Sequence, residues 1–344
     1  MGRLKKLIVL GSGPIGLLCA LRGRQLGMDV DIYTSGLPLP QDPPRVECVP
    51  AQVVALLVEF GVSPARIGVG ALFHERIMQW SGRTVVLRQT PDVAHVGRPA
   101  LDIALLETAL RTGARISALQ GGHLEAFRWR PNGECLFLDA SGRSAVTAMQ
   151  RMGPKRPLVA RLFHLPMRPG LYGSGLMVAA GTEGYAYRLA NAATLTIGVV
   201  GRKDFVRGGS RQIVERIAAF APWLVRDIAS ADLQSGASGA ASVQWSGADN
   251  VGGIRVGDAS FARDALASQG LAMGFSDALK AIIQPDHGLR KSPRADEKKT
   301  ILLHCRRVVR QINSSTFRSA PPWIEYSEFL SNLASLAQSD CQKN

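Results

Sequence analysis

Apolar and polar positions alternate between two periods along this chain, and the first clear signal is an apolar run. Leu7-Ile8-Val9-Leu10 is short enough for a strand buried on both faces. It meets Gly11-Ser12-Gly13-Pro14-Ile15-Gly16 and then the apolar stretch Leu17-Leu18-Cys19-Ala20-Leu21, which predicts strand, tight turn and helix. Val30-Asp31-Ile32-Tyr33-Thr34 reads as a second parallel strand. After a loop carrying Pro38, Pro40, Pro43 and Pro44, an amphipathic helix runs from Gln52 to Phe60 and stops at Gly61. His74 to Trp80 and Thr84 to Leu87 read as short strands joined across Ser81-Gly82. Gly97-Arg98-Pro99 opens a helix, with proline in the first turn where its missing N–H costs nothing. Leu101, Leu105 and Ala109 with Ile103, Leu106 and Leu110 give that helix a wide apolar face, and Gly113 ends it.

Phe127 to Asp139 alternates as a hairpin would, turning at Pro131-Asn132-Gly133. From Leu158 to Val200 the pattern is strand-rich, with turns at Gly170, Gly173 and Gly184. Arg211 to Ala221 is an amphipathic helix. Ile254 to Ala259 is a buried strand meeting a turn, and a helix begins near Ser268 to Gly270. Beyond Gln284 the chain turns polar and basic, and a helix over Lys298–Ile312 with the tail after Pro321-Pro322 reads as a small helical appendage. Alternation of strands and helices at the start, and strands in the middle, predict an α/β fold with a parallel sheet and an inserted antiparallel sheet.

The glycines at Gly11, Gly13 and Gly16 have the G-x-G-x-x-G spacing in the context that gives it meaning. The first allows the turn, the second lets a pyrophosphate approach the backbone, and the third lets helix pack on strand. Helix N–H groups beyond Pro14 would face the phosphates. The motif alone does not choose between FAD and NAD(P). Thr34 and Ser35 stand where an acidic residue usually binds the ribose, so ribose recognition is weaker or supplied elsewhere.

Composition changes this picture in one respect. The 344 residues are 46% hydrophobic and 20% charged, ordinary for a globular enzyme, but the net charge is +14 and the isoelectric point about 10.1. Such a balance fits an acidic partner, and no nucleic-acid-binding motif is present. The five cysteines are scattered and form no C-x-x-C pair, against a disulfide framework and for a reducing compartment. The histidines show no metal-ligand spacing, so no metal is expected. Arg3, Lys5 and Lys6 before an apolar run look like a signal peptide, yet glycines at nucleotide-loop spacing interrupt the run. No apolar segment reaches the length of a membrane span, and the expectation is a cytoplasmic protein without stable membrane insertion.

Three later segments bear on the cofactor: Arg45-Val46-Glu47-Cys48, Val96-Gly97-Arg98-Pro99-Ala100-Leu101-Asp102, and Gly257-Asp258-Ala259 running on to Asp264 and Ser268-Gln269-Gly270-Leu271. In this order they resemble the FAD-dependent aromatic hydroxylases and, more closely, the relatives of tryptophan halogenases. Asp139-Ala140-Ser141-Gly142 resembles the Asp-Ala-Thr-Gly strand end of the same fold. One departure is Ala265, where the family has proline.

The resemblance covers residues 1–285 and implies FAD bound by Gly11, Ser12, Gly13, Pro14, Ile15 and Gly16. Thr34, Arg45, Val46, Arg98, Asp139, Gly257, Asp258, Gln269, Gly270 and Leu271 would complete the site. It implies a Rossmann-like FAD-binding domain from residues 1–75, 92–157 and 250–285. A β-rich substrate domain would come from 76–91 and 158–249, and a C-terminal helical segment from 286–344.

Halogenases of this family place a lysine between flavin and substrate. This chain has no lysine between Lys6 and Lys155, and at the corresponding place it reads Phe73-His74-Glu75. With Tyr185-Ala186-Tyr187-Arg188-Leu189 it looks most like the flavoprotein monooxygenases of tryptophylquinone biogenesis. The implied activity is hydroxylation of a tryptophan inside a small acidic partner polypeptide, using O2 and a reduced flavin, with NADH or NADPH as electron donor. His74, with an ordinary pKa of about 6.5, and Glu47 are the candidates for moving the ring proton. The competing readings are a halogenase, an isoprenoid reductase or cyclase of the same fold, and a non-catalytic flavin-fold chaperone.

Overall fold

The computed structural model describes residues 4–39, 41–80, 82–120, 134–148, 150–168, 175–246, 253–264, 270–283 and 295–342. In chain order the elements begin with β1 (Lys6–Leu10), α1 (Pro14–Gln25), β2 (Asp29–Thr34), β3 (Val46–Pro50), α2 (Ala51–Glu59), β4 (Leu72–Trp80), β5 (Arg83–Gly97), α3 (Arg98–Arg111), β6 (Arg115–Ala118) and β7 (Cys135–Asp139). They continue with β8 (Arg151–Met152), β9 (Val159–Pro166), β10 (Leu176–Ala180), β11 (Gly184–Ala190), β12 (Thr194–Gly201), α4 (Lys203–Val206) and α5 (Ser210–Phe220). The last are β13 (Gln234–Ala240), β14 (Gln244–Ser246), β15 (Ile254–Arg255), α6 (Asp258–Phe261), α7 (Gly270–Ile283), α8 (Ala295–Asn313) and α9 (Trp323–Gln342).

Two sheets carry the architecture. The first is parallel, in the order β15-β7-β1-β2-β6, with Lys6 in register with Asp29 on one side and Cys135 on the other. Leu17, Leu18, Cys19 and Ala20 of α1 are fully buried, because the helix is covered by the sheet on one side and by α3 and α7 on others. A helix walled in on several sides is apolar around most of its girth rather than along one stripe. Gly23 lets it close on the sheet: a Cβ there would sit 2.5 Å from Leu7 Cδ2.

The sequence pattern is corrected at Cys135–Asp139. This segment runs as an inner strand of the parallel sheet, beside β1 and β15. All five of its residues are buried, and a strand buried on both faces has no need to alternate. The hairpin's other half and its turn at Pro131-Asn132-Gly133 lie outside the described residues, as do the turns expected at Gly170 and Gly173.

The second sheet has eight strands in the order β13-β9-β12-β11-β10-β4-β5-β3. β5 is its longest strand. Arg83–Arg88 pairs with β4, while Val93–Gly97 pairs with both the start of β4 and β3, and the strand ends where α3 of the first layer begins. β3, lying within residues 1–75, thus runs in the second sheet rather than the first. α5 packs on one side of this sheet through Ile213 and Ile217.

α8 and α9 belong to the second sheet's core and are not an appendage. Ile301, Cys305, Val308 and Ile312 of α8, and Trp323, Tyr326, Leu330 and Leu333 of α9, fall three and four residues apart and pack together with Val178, Tyr185 and Leu189. The basic residues that dominate this segment's composition, such as Arg306 and Arg310, occupy other faces. Trp323 is fully buried, donates its Nε1–H to the Gly181 carbonyl at 2.8 Å, and packs near Trp80, Tyr185 and Phe317. Among the described residues no helix is long and apolar enough to cross a membrane.

Replacing Trp323 with alanine is expected to cost about 3–5 kcal/mol, the range for truncating a buried aromatic. Urea unfolding followed by circular dichroism measures it; a loss under about 1 kcal/mol would return α9 to the status of an appendage.

Candidate active site

The glycine loop owes its shape to contacts that only glycine allows. Gly11 has φ +103°, and a Cβ on it would lie 2.5 Å from the Ala140 carbonyl oxygen. A Cβ on Gly16 would lie 2.0 Å from the Gly11 carbonyl oxygen, so the helix sits directly on the turn. Gly13 is different, since a Cβ there meets nothing within 4 Å. It precedes α1 in extended conformation, so the open space lies at the helix N-terminus. Ile15 packs across to the late Gly-Asp segment. Gly257 (φ +59°) and Gly274 would place their Cβ atoms 3.3 and 2.6 Å from its side chain.

At the end of β2, Thr34 and Ser12 hydroxyls lie 2.7 Å apart and each donates to the Gly36 carbonyl geometry, at 2.6 and 2.8 Å. A hydroxyl pair, not a carboxylate, therefore stands at the end of β2. Asp139 is fully buried, and its carboxylate accepts hydrogen bonds from the Ser141 and Thr147 N–H groups and the Thr147 hydroxyl. Its side chain holds the loop that borders Gly11.

A cavity of about 170 Å³ opens between the second sheet and the segments that follow β7 and β15. Its wall includes Arg45, Val46, Glu47 and Cys48 at the start of β3, Tyr187 and Leu189 from β11, Arg143, Asp258, Arg263 and Asp264, and Gly270 and Leu271 at the start of α7. β3 is fixed by the Val46 N–H donating to the Thr196 hydroxyl at 3.0 Å. Tyr187 reaches the cavity across Gly198, where any Cβ would fall 2.1 Å from its ring. Behind the wall, Arg98 donates to Glu47 at 3.1 Å and to Asp102 at 3.2 Å, and its N–H bonds the Arg45 carbonyl.

Burial and neighbours tune these groups. Burial pulls the Arg98 guanidinium down, but Asp102 and Glu47 outweigh it and hold it above its ordinary value. Arg45 is lowered by burial and by Arg98. Asp258 is raised by burial, against the opposing pull of Arg143, whose Nε lies 3.7 Å away, and of Arg263. Burial pushes the Cys48 thiol up to about 12, which keeps it protonated and inert at neutral pH. Tyr187 is raised by burial and then by Glu47.

Of the residues singled out in the sequence, Arg45, Val46, Glu47, Asp258, Gly270 and Leu271 meet around this cavity, with Arg98 directly behind. His74 is not among them. It projects from β4, largely exposed, and its Nδ1 lies 2.8 Å from Asp92. Gln269 lies outside the described residues. Sequence reasoning missed Arg143 and Arg263, whose contacts bridge distant segments, with Arg143 donating to the Ser242 and Arg263 carbonyls. It also missed a buried network on the C-terminal side: Asp264 Oδ2 lies 3.0 Å from His304 Nε2 and accepts from the Tyr326 hydroxyl at 3.3 Å. Among the described residues, no group of three or more metal-ligating side chains forms.

No protein-family model matches the chain, and no curated protein matches its sequence. Solved structures do match its fold. QhpG, a peptidyl tryptophan dihydroxylase essential for tryptophylquinone cofactor biogenesis, is 20% identical with a TM-score of 0.67, over 94% of this chain and 78% of that one. The flavin-dependent brominase Bmp2 is 14% identical with a TM-score of 0.68, over 98% of each chain. The myxobacterial chondrochloren halogenase CndH is 17% identical with a TM-score of 0.70, over 100% and 91%. The fold is that of the flavin-dependent halogenases and QhpG.

The residues present fit an FAD. The open face of Gly13, the α1 N-terminus, and a cavity flanked by Gly270 and Arg45 offer a phosphate site at one end and a ring-sized space at the other. Two glycine variants separate loop shape from ligand contact. Gly13→Val is expected to leave the fold intact within about 1 kcal/mol, an N-cap-sized effect, while losing flavin absorbance. Gly16→Val is expected to lose folded protein as well. Flavin content against thermal unfolding checks both, and a G13V protein that keeps stoichiometric FAD contradicts the loop's assignment.

Proposed function

We propose that this chain is an FAD-dependent monooxygenase that hydroxylates an aromatic ring, the ring being a tryptophan within a small acidic polypeptide. The observation that carries the reading is the cavity. It joins the flavin-facing segment at Arg45–Cys48 to the Gly257-Asp258 segment and the α7 N-terminus, as the aromatic-hydroxylase resemblance requires. Reduced FAD, when bound, supplies the electrons with which O2 is activated, NADH or NADPH being the proposed source.

The chain's own residues bind, orient and handle protons. Gly13 and the α1 N-terminus hold the pyrophosphate, and Arg98 fixes Glu47 and the Arg45 backbone at the cavity wall. Glu47 is the proposed proton-handling group, because its carboxylate lines the cavity and stays about one-third exposed. Tyr187 and Leu189 offer an aromatic and an aliphatic surface for a ring. A net charge of +14 favours an acidic partner by steering.

Halogenation is the second reading, favoured by the similarity to Bmp2 and CndH along nearly the whole chain. Against it stands the sequence between Lys6 and Lys155, which supplies no lysine. Among the residues lining the cavity there is none either.

Intact mass of an acidic tryptophan-containing polypeptide co-expressed with the protein decides between them. Gain of one or two oxygen atoms on tryptophan is expected, and exchange of hydrogen for halogen in the presence of halide would establish the second reading. Glu47→Gln is expected to lower turnover by about 10²-fold, the lower bound for removing a proton-transfer group, with flavin content unchanged. Turnover within about twofold of the parent would remove Glu47 from the reaction.

A further inference from the structure

The hairpin of β4 and β5 carries an edge that the described fold leaves open. The ladder closes at Trp80 with Arg83 and runs to Glu75 with Arg88. Bonded pairs alternate in an antiparallel ladder, so Arg83, Val85 and Leu87 exchange bonds with β4. Thr84, Val86 and Arg88 therefore turn their N–H and C=O groups away from it. The strand on that side, β3, reaches only Val93–Gly97. Among the described residues nothing pairs with the outer edge over residues 84–88. Side chains there are exposed on both faces, Val85 at 46% and Val86 at 57%. Natural edges are blunted by lysine, proline or bulges, and Thr84-Val85-Val86-Leu87 has none of these.

The geometry points to this edge as a docking strand for an extended, acidic polypeptide segment, added as a further strand beside β5. Main-chain groups of Thr84, Val86 and Arg88 supply the ladder. Val85, Val86 and Leu87 receive apolar side chains at the centre, and exposed Arg83 and Arg88 receive carboxylates at the two ends. Charge selects this occupant over a second copy. Two-fold pairing of copies would gather four arginines on a ribbon about 20 Å long between molecules that each carry +14. The site also lies on the strand that leads to the cavity. Arg88 is seven residues along β5 from His95, the partner of Cys48, or about 23 Å at strand rise. A polypeptide held here is tethered within reach of the cavity without filling it. This inference rests on the reading that the substrate is a polypeptide.

The probe is a capped, fluorescein-labelled decapeptide of four central valines with three glutamates at either end, followed by fluorescence anisotropy on the full chain. Saturable binding is expected. It should weaken roughly tenfold or more when the peptide is N-methylated once on each edge, since charge is kept while ladder donors are lost. Val86→Pro should weaken it similarly. That proline removes an outward N–H that β4 does not use, and edge positions accept proline, so circular dichroism and the thermal midpoint should stay at parental values. Arg83→Glu with Arg88→Glu gives a second, fold-neutral loss. Equal binding of the methylated peptide, or equal binding by V86P, overturns the proposal. So does a concentration-dependent dimer in sedimentation that V86P dissolves, which would make a second copy the occupant. Peptide binding that holds while no polypeptide gains oxygen leaves the edge standing and removes the functional reading. Unchanged hydroxylation of a polypeptide by V86P does the reverse.

Discussion

Arg98 is the residue through which the two sheets hold each other. It stands where β5 of the larger sheet becomes α3 of the parallel layer, its side chain only 15% exposed. A guanidinium so placed is costly unless its donors are met, and stripping one partner from a buried pair costs about 3–5 kcal/mol. Here Asp102 from the same helix and Glu47 from β3 meet it, and its own N–H closes on the Arg45 carbonyl. Satisfying one buried cation thus ties α3 to β3. That tie reaches Arg45 and Glu47 in one wall of the cavity.

The opposite wall follows from close approaches rather than charge. Ile15 fits between Gly257 and Gly274, so the glycine loop, the Gly-Asp segment and α7 are one packed unit. Shifting α1 would shift Gly270 and Leu271 with it. The α1 N-terminus and the cavity wall at Gly270 and Leu271 are therefore positioned by the same contacts, although their residues lie about 250 positions apart in sequence.

Legibility from sequence follows the range of the interactions. The β1–loop–α1 unit is readable because Gly11 and Gly16 answer local demands within the motif and its neighbouring strand end. Arg45, Asp258 and Gly270 were readable as an ordered set. Asp139 and His74 were readable only as residue types. Whether a carboxylate faces a ligand or its own loop depends on Ser141 and Thr147, and whether a histidine faces a cavity depends on strand register. The cysteine-to-aspartate strand misled because alternation fails in a strand buried on both faces. α8 and α9 misled because their composition is basic while their spacing is that of a core. Arg143 depends on partners 99 and 120 residues away, Asp264 on His304 and Tyr326 at separations of 40 and 62, and Tyr187 on a glycine opposite its ring, and no local pattern carries those contacts.

Charge in the molecule is divided by place. The cavity wall sets Arg45, Arg143 and Arg263 against Glu47, Asp258 and Asp264, so it has no formal surplus of its own. The +14 of the whole chain must then reside outside this wall. A balanced cavity avoids a strong field on a reacting ring, where one unpaired charge in low dielectric would dominate every protonation equilibrium. A cationic exterior acts before any ring arrives, over distances near the Debye length of about 8 Å and beyond at low salt, on the approach of something acidic. On the proposed reading, recognition and reaction fall on different surfaces, and selection for a partner can change arginines on the exterior without disturbing the set around Glu47.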